Sequence, residues 1–87
     1  MTTVVNLKDR FSKDLGMRSV ARKIFEGLND DEMVFDFEGI EFISRSFAQE
    51  YMQQKYTSNI KVSESNMCDF VAGLMNVVEK DYIDSCL

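Results

Sequence analysis

Histidine, proline and tryptophan are absent from this chain of 87 residues, and cysteine occurs only twice. Without histidine there is no side chain whose unperturbed charge changes near neutral pH. The commonest transition-metal ligand is missing as well, which argues against most zinc chemistry. Cys68 and Cys86 form no Cys-x-x-Cys pair and are too few for a disulfide scaffold. Reduced thiols in an intracellular protein are the expectation. No glycine-rich phosphate loop is present, so any ATP would belong to a partner and no cofactor is expected. The first ten residues, MTTVVNLKDR, lack the apolar run of a signal peptide. No stretch approaches the ~20 apolar residues of a membrane span. These absences predict a soluble, cytoplasmic protein without a membrane role.

What is present is an ordinary core. Hydrophobic residues make up 45% of the chain, with seven Phe and six Met supplying bulk. The length predicts one domain over residues 1–87. Net charge is −5, but its distribution is uneven. Through Lys23 there are six basic and two acidic residues; from Ile24 onward there are four and thirteen. A basic segment suits phosphate contacts, but the acidic remainder argues against a nucleic-acid partner. The asymmetry reads as two charge sets that face each other in the fold or aid solubility.

Periodicity gives an order of strand, helix, strand, helix, strand, helix. In TTVVNL, Thr3, Val5 and Leu7 share one face and Val4 and Asn6 the other. KDRFSKDLG reads as a polar connection. Met17, Val20, Ala21, Ile24, Phe25 and Leu28 form a helical stripe, with Arg18 and Arg22 on the solvent side. Gly27 and Asn29–Asp31 end that helix, and the carboxylates of Asp30, Asp31 and Glu32 read as a solvated turn rather than a cation site. In the next strand Met33, Phe35 and Phe37 face inward, while Asp36 faces outward as a hydrogen-bond acceptor near the strand end. Gly39 interrupts, and Ile40 and Phe42 are expected to resume the inward alternation with Glu41 outward. Phe47, Ala48, Tyr51, Met52 and Tyr56 mark a second helix, Ile60 and Val62 a third strand, and Met67 to Val78 the last helix. Strands alternating with helices predict parallel pairing through right-handed crossovers. The strands alternate, with Asn6, Asp36 and Lys61 off the core side. The expected fold is therefore α/β: a mainly parallel sheet of three or four strands with three helices on one face and the other face open.

DFEGIEFISRSFAQEY, residues 36–51, passes from strand to helix and places Ser44, Arg45 and Ser46 at the seam. SFAQ has capping-box spacing, with Ser46 as the expected N-cap and Gln49 at the third helical position. Ser44 is available to the same seam one step earlier. A helix start also carries partial positive charge and free N–H donors, so a phosphate on Ser46 would be well placed there, beside Arg45.

Residues 36–51 resemble the signature stretch of the STAS superfamily, the anti-sigma-factor-antagonist fold. There an Asp-Leu-x-Gly strand leads through a hydrophobic pair into a serine-bearing loop and a helix. Asp36, Gly39, Ile40, Phe42 and Ser46 are in register with that pattern. A closer likeness is to a STAS-like family of unknown function, similar to DF-x-G-V-x-F-I-S-x-S-F-A-D-E. Here Ser44, Ser46, Phe47, Ala48 and Glu50 correspond, and that family's arginine in the preceding helix matches Arg18. The phosphorylated regulators carry Asp at the place of Ser44 and Gly at the place of Phe47, while Asp is usual in the STAS-like family at the place of Gln49.

The resemblance implies a non-catalytic regulatory domain that works by partner switching. Its implied partner is a histidine-kinase-like ATPase or an anti-sigma-like regulator. Ser44, Arg45 and Ser46 are the candidate docking or phosphorylation residues. Asp36, Gly39, Phe42, Phe47 and Glu50 are expected to carry the motif structurally. The alternative expectation is a scaffold that forms homodimers or larger assemblies through the open sheet face, with Val4 and Val34 buried between copies. No metal site and no enzymatic activity are expected.

Overall fold

A computed structural model describes residues 2–12, 14–26 and 31–86. The expected contribution of Leu28 to the first long helix, and most of the turn that follows it, lie outside these residues. The elements in chain order are β1 (Thr2–Asn6), α1 (Leu7–Arg10), β2 (Asp14–Leu15), α2 (Arg18–Phe25), β3 (Glu32–Asp36), β4 (Phe42–Ile43), α3 (Arg45–Thr57), β5 (Lys61–Ser65) and α4 (Asp69–Cys86). The protein is α/β. β1, β3 and β5 form a parallel sheet with β3 in the centre, and β2 and β4 make a separate parallel pair.

Register explains the two faces of the sheet. Thr3, Met33 and Val62 lie side by side, followed by Val5, Phe35 and Glu64. Met33 and Phe35 in the central strand are buried, so this row faces the core. The intervening row of Val4, Val34 and Ser63 faces away, and Val4 is 62% exposed. Beside it, Lys61 and Glu32 pair at 3.6 Å across adjacent strands. The core side is covered by Ala21 and Ile24 of α2, by Phe47, Ala48, Tyr51 and Met52 of α3, and by Val71, Met75 and Val78 of α4. The sequence expectation of three long helices over one side of an alternating parallel sheet therefore holds.

Three local expectations change. First, the strand from Thr2 ends one residue before Leu7. Asn6 Oδ1 accepts the Asp9 N–H at 3.0 Å, and this cap starts the one-turn α1. Leu7 remains buried, but from a helix. Second, KDRFSKDLG is not only a connection. It holds α1 and β2, and β2 pairs with β4 through Leu15 and Ile43. Third, the inward alternation does not resume at Phe42. Ile40 is buried, but it closes a turn by donating its N–H to the Phe37 carbonyl at 3.0 Å. Gly39 sits inside that turn at φ +82°, a conformation that favours glycine. The turn changes the phase: Ile43 enters the core, and Phe42 is 44% exposed and stacks on Phe70.

At the far end of the sheet Asp36 acts as its sequence suggested. Its Oδ1 accepts from the Asn66 side chain at 3.0 Å and from the Glu38 N–H at 2.9 Å. These bonds, that from Asn66 first, hold its pKa below the usual carboxylate value. Asn66 itself has φ 57°, a left-handed position that Asn tolerates better than most residues. It turns the chain from β5 toward α4.

The segment DYIDSC continues α4 beyond the apolar stripe that ends at Val78. Gly73 lies inside this helix, and among the described residues no atom beyond its chain neighbours and the helix's own adjacent backbone stands within 4 Å of where a Cβ would be. Gly73→Ala should therefore raise stability by about 1 kcal/mol, the usual helix-interior difference. Equilibrium denaturation of both proteins measures this, and a loss of stability would show that the position is sterically constrained.

Candidate functional site

The seam between β4 and α3 is organised by Ser44. Its N–H donates to the Leu15 carbonyl at 3.1 Å, extending the β2–β4 pairing. Its hydroxyl donates to the Gly16 carbonyl at 2.8 Å and accepts the Phe47 N–H at 3.0 Å. Ser44 is thus the N-cap of α3. This corrects the expectation that Ser46 is the cap. The helix begins two residues earlier than the capping-box spacing suggested, because a contact 28 residues away in sequence fixes the Ser44 hydroxyl. Ser46 is the second residue of α3 and is exposed. Among the described residues, no hydrogen bond engages its side chain.

Arg45 leaves the helix start toward α4, where its guanidinium lies 3.9 Å from Asp81 Oδ2. Both side chains are largely exposed, so the pair is worth little in stability. Beneath it runs a groove of about 210 Å³ bordered by Arg45, Gln49, Val78, Asp81, Tyr82 and Ser85. The three seam residues therefore divide. Ser44 is tied inward, Arg45 reaches along a groove, and Ser46 faces outward.

The motif residues divide similarly. Phe47 is buried against Tyr51, with ring centroids 6.0 Å apart. Among the described residues Glu50 is the buried charged residue of the core, at 5% exposure. Its Oε2 accepts from Gln54 at 2.8 Å, and its Oε1 lies 3.5 Å from Arg22 Nε and 4.0 Å from Arg18 Nη1. The arginines assigned to a solvated helix face thus neutralise a carboxylate of α3. The pairing of Arg18 with Glu50 joins two positions that the sequence singled out separately. It also fits the reading that basic and acidic segments face each other.

A second network was not legible in sequence. Tyr51 OH donates to Glu64 Oε2 at 2.6 Å. Lys55 Nζ lies 3.1 Å from the same oxygen and 3.7 Å from Glu79 Oε2. Tyr56 OH donates to Glu79 Oε2 at 2.8 Å, and its ring stacks on Tyr82. The network joins α3, β5 and α4. Its only advance signal was Glu64 in the core-facing register of an alternating strand. Burial and then Glu64 push the Tyr51 phenol well above its ordinary value. The hydrogen bond to Glu79 leads the causes that raise Tyr56 to about 12.

Among the described residues no cluster of carboxylates or thiols could hold a metal ion. No helix among them is long and apolar enough to cross a membrane. The chain matches no protein-family model, no curated protein and no solved structure.

Two outcomes follow from the geometry. Ser44→Ala should lower stability by about 0.5–2 kcal/mol through loss of the cap. Ser46→Ala should stay within ~0.5 kcal/mol of the parent. Denaturant midpoints distinguish them, and equal effects would contradict the cap assignment. Tyr51 and Tyr56 predict an alkaline transition. Each phenol has a folded-state pKa above its unfolded value of about 10, so its stabilising contribution is complete below that pH. The contribution is lost as pH rises through the folded-state values, which for Tyr56 means about 12. Tyr56→Phe should make the fall in melting temperature over this interval shallower, and an unchanged slope would remove Tyr56 from the account.

Proposed function

We propose that this chain is a non-catalytic protein-interaction domain of the STAS-like kind. It docks a protein partner on the start of α3, and a phosphate on Ser46 modulates the docking. One observation carries this reading: Ser44 performs the capping, which leaves Ser46 exposed and unengaged at the second helical position. A hydroxyl that does no structural work at a helix start is chemically available. The first-turn N–H groups lack acceptors within the helix and favour negative charge. Arg45 is adjacent, and Arg18 begins α2 two residues beyond the Gly16 carbonyl that Ser44 binds. A phosphate would bring up to two negative charges to this surface, enough to change how a partner docks. By resemblance the partner class is a histidine-kinase-like ATPase or an anti-sigma-like regulator.

A second reading is self-association through the open face of the sheet. Its support is the exposed Val4 beside Val34 on a parallel sheet, an arrangement that is usually covered on both faces.

One comparison separates the readings. Affinity capture from the cells of origin, with and without ATP, should recover a partner on the parent protein. Ser46→Asp should reduce that recovery while the melting temperature stays near the parent's. Val34→Lys should leave recovery intact and, on the second reading alone, lower the mass of an assembly. Unchanged recovery with Ser46→Asp would remove the docking site from the start of α3.

A further inference from the structure

α4 is apolar on two sides. Its inner side places Val71, Met75 and Val78 in the core. On its outer side Phe70 and Val77 are 53% and 49% exposed. At 3.6 residues per turn, Phe70, Gly73 and Val77 fall within a sector of about 60°. Half-buried Leu74 borders that sector, and Phe42 extends it by stacking on Phe70 with centroids 5.9 Å apart. Singly exposed apolar residues are normal, but a contiguous set on one helix face marks an interaction surface.

Gly73 lies at the middle of this set. Its φ is not in the left-handed region, and among the described residues nothing crowds the place of a Cβ. Neither backbone conformation nor packing within the chain calls for glycine there, and helix propensity opposes it. What glycine supplies is a surface low enough for another backbone to approach.

We propose that this face is a self-association surface, on which α4 of a second copy crosses in antiparallel orientation over Gly73. The face is complementary to itself in that orientation. Two-fold pairing about Gly73 sets Val77 of each copy against Phe70 of the other. Lys80 then lies about three residues along the axis, ~4.5 Å, from Asp69 at the second copy's helix start, a span its long side chain covers. A parallel crossing would oppose like charges at both positions. Asp84, farther along the same sector, falls beyond the second copy's helix start. The contact is isologous, so it closes as a dimer rather than growing into a filament. One helix crossing buries less than the ~800 Å² per partner of standard interfaces, so the association is weak and concentration-dependent. The surface is separate from the open face of the sheet, and Phe42 brings its edge to within two residues of the Ser44 cap of α3.

Sedimentation analysis of the full chain over a concentration series tests the proposal. The average mass should rise from that of one chain toward that of two. Gly73→Ala should raise the melting temperature yet shift association to higher concentration, a combination that damage to the fold would not produce. Val77→Lys should abolish association. Lys80→Glu should weaken it, and adding Asp69→Lys should restore it. A parent protein that stays monomeric throughout would overturn the proposal. So would association unaffected by Gly73→Ala, or association lost in Val34→Lys but retained in Val77→Lys.

Discussion

Tyr51 is the point at which the layers of this protein meet. Its ring packs edge-on against Phe25 of α2, Phe35 of β3 and Phe37 just beyond β3, and stacks on Phe47 one turn earlier in α3. Burying a ring of this size gains free energy, but burying its hydroxyl alone would offset part of the gain. The hydroxyl is therefore met by Glu64, and Glu64 in turn needs a cation, which Lys55 supplies. One aromatic residue thus requires a carboxylate in the core-facing row of β5 and a lysine one turn later in its own helix. Placement of α3 over the sheet follows from these requirements together.

The same helix is held toward α2 by a buried acid. Glu50 lies on the side of α3 that meets α2, where Arg18 and Arg22 bracket it and Gln54 completes its hydrogen bonding. A buried carboxylate without such partners would be strongly destabilising, so this cluster limits how α2 and α3 can pack. Tyr51 sets the height of α3 over the sheet, and Glu50 sets its neighbour. The start of the helix is then fixed by the hydroxyl of Ser44, bound to Gly16. With the helix start held in this way, Ser46 is presented at a defined position on the surface.

This division of labour underlies the functional reading. Two serines one residue apart have opposite roles because they stand on either side of a helix boundary. One is consumed by structure and the other is left to solvent. The apolar outer face of α4 and the open row of the sheet are likewise surfaces that the fold builds but does not use. The α4 face reaches Phe42, two residues before the α3 cap, whereas the row of Val4 and Val34 lies on the opposite side of the sheet from α3.

Much of the architecture was legible in the residues. Alternation in Met33–Phe37 and the 3.6-residue stripes of the long helices reflect burial on one side, which is a local pattern. They yielded the order of the three sheet strands and the three long helices, the parallel pairing and the open face of the sheet, but not α1, β2 or the separate β4. The sequence singled out Arg18, Ser44, Phe47 and Glu50, but not how they meet. Tertiary structure decided the rest, since those outcomes depend on residues distant in sequence. Ser44 rather than Ser46 caps α3 because Gly16 and Leu15 meet it there. Phe42 turns outward because the Gly39 turn shifts the phase and β2 pairs with β4. Arg22 and Glu64, solvated or unremarked when read along the chain, become partners of buried groups only when the helices come together on the sheet. Periodicity records which side of an element is buried; it carries no record of which polar groups will be brought face to face.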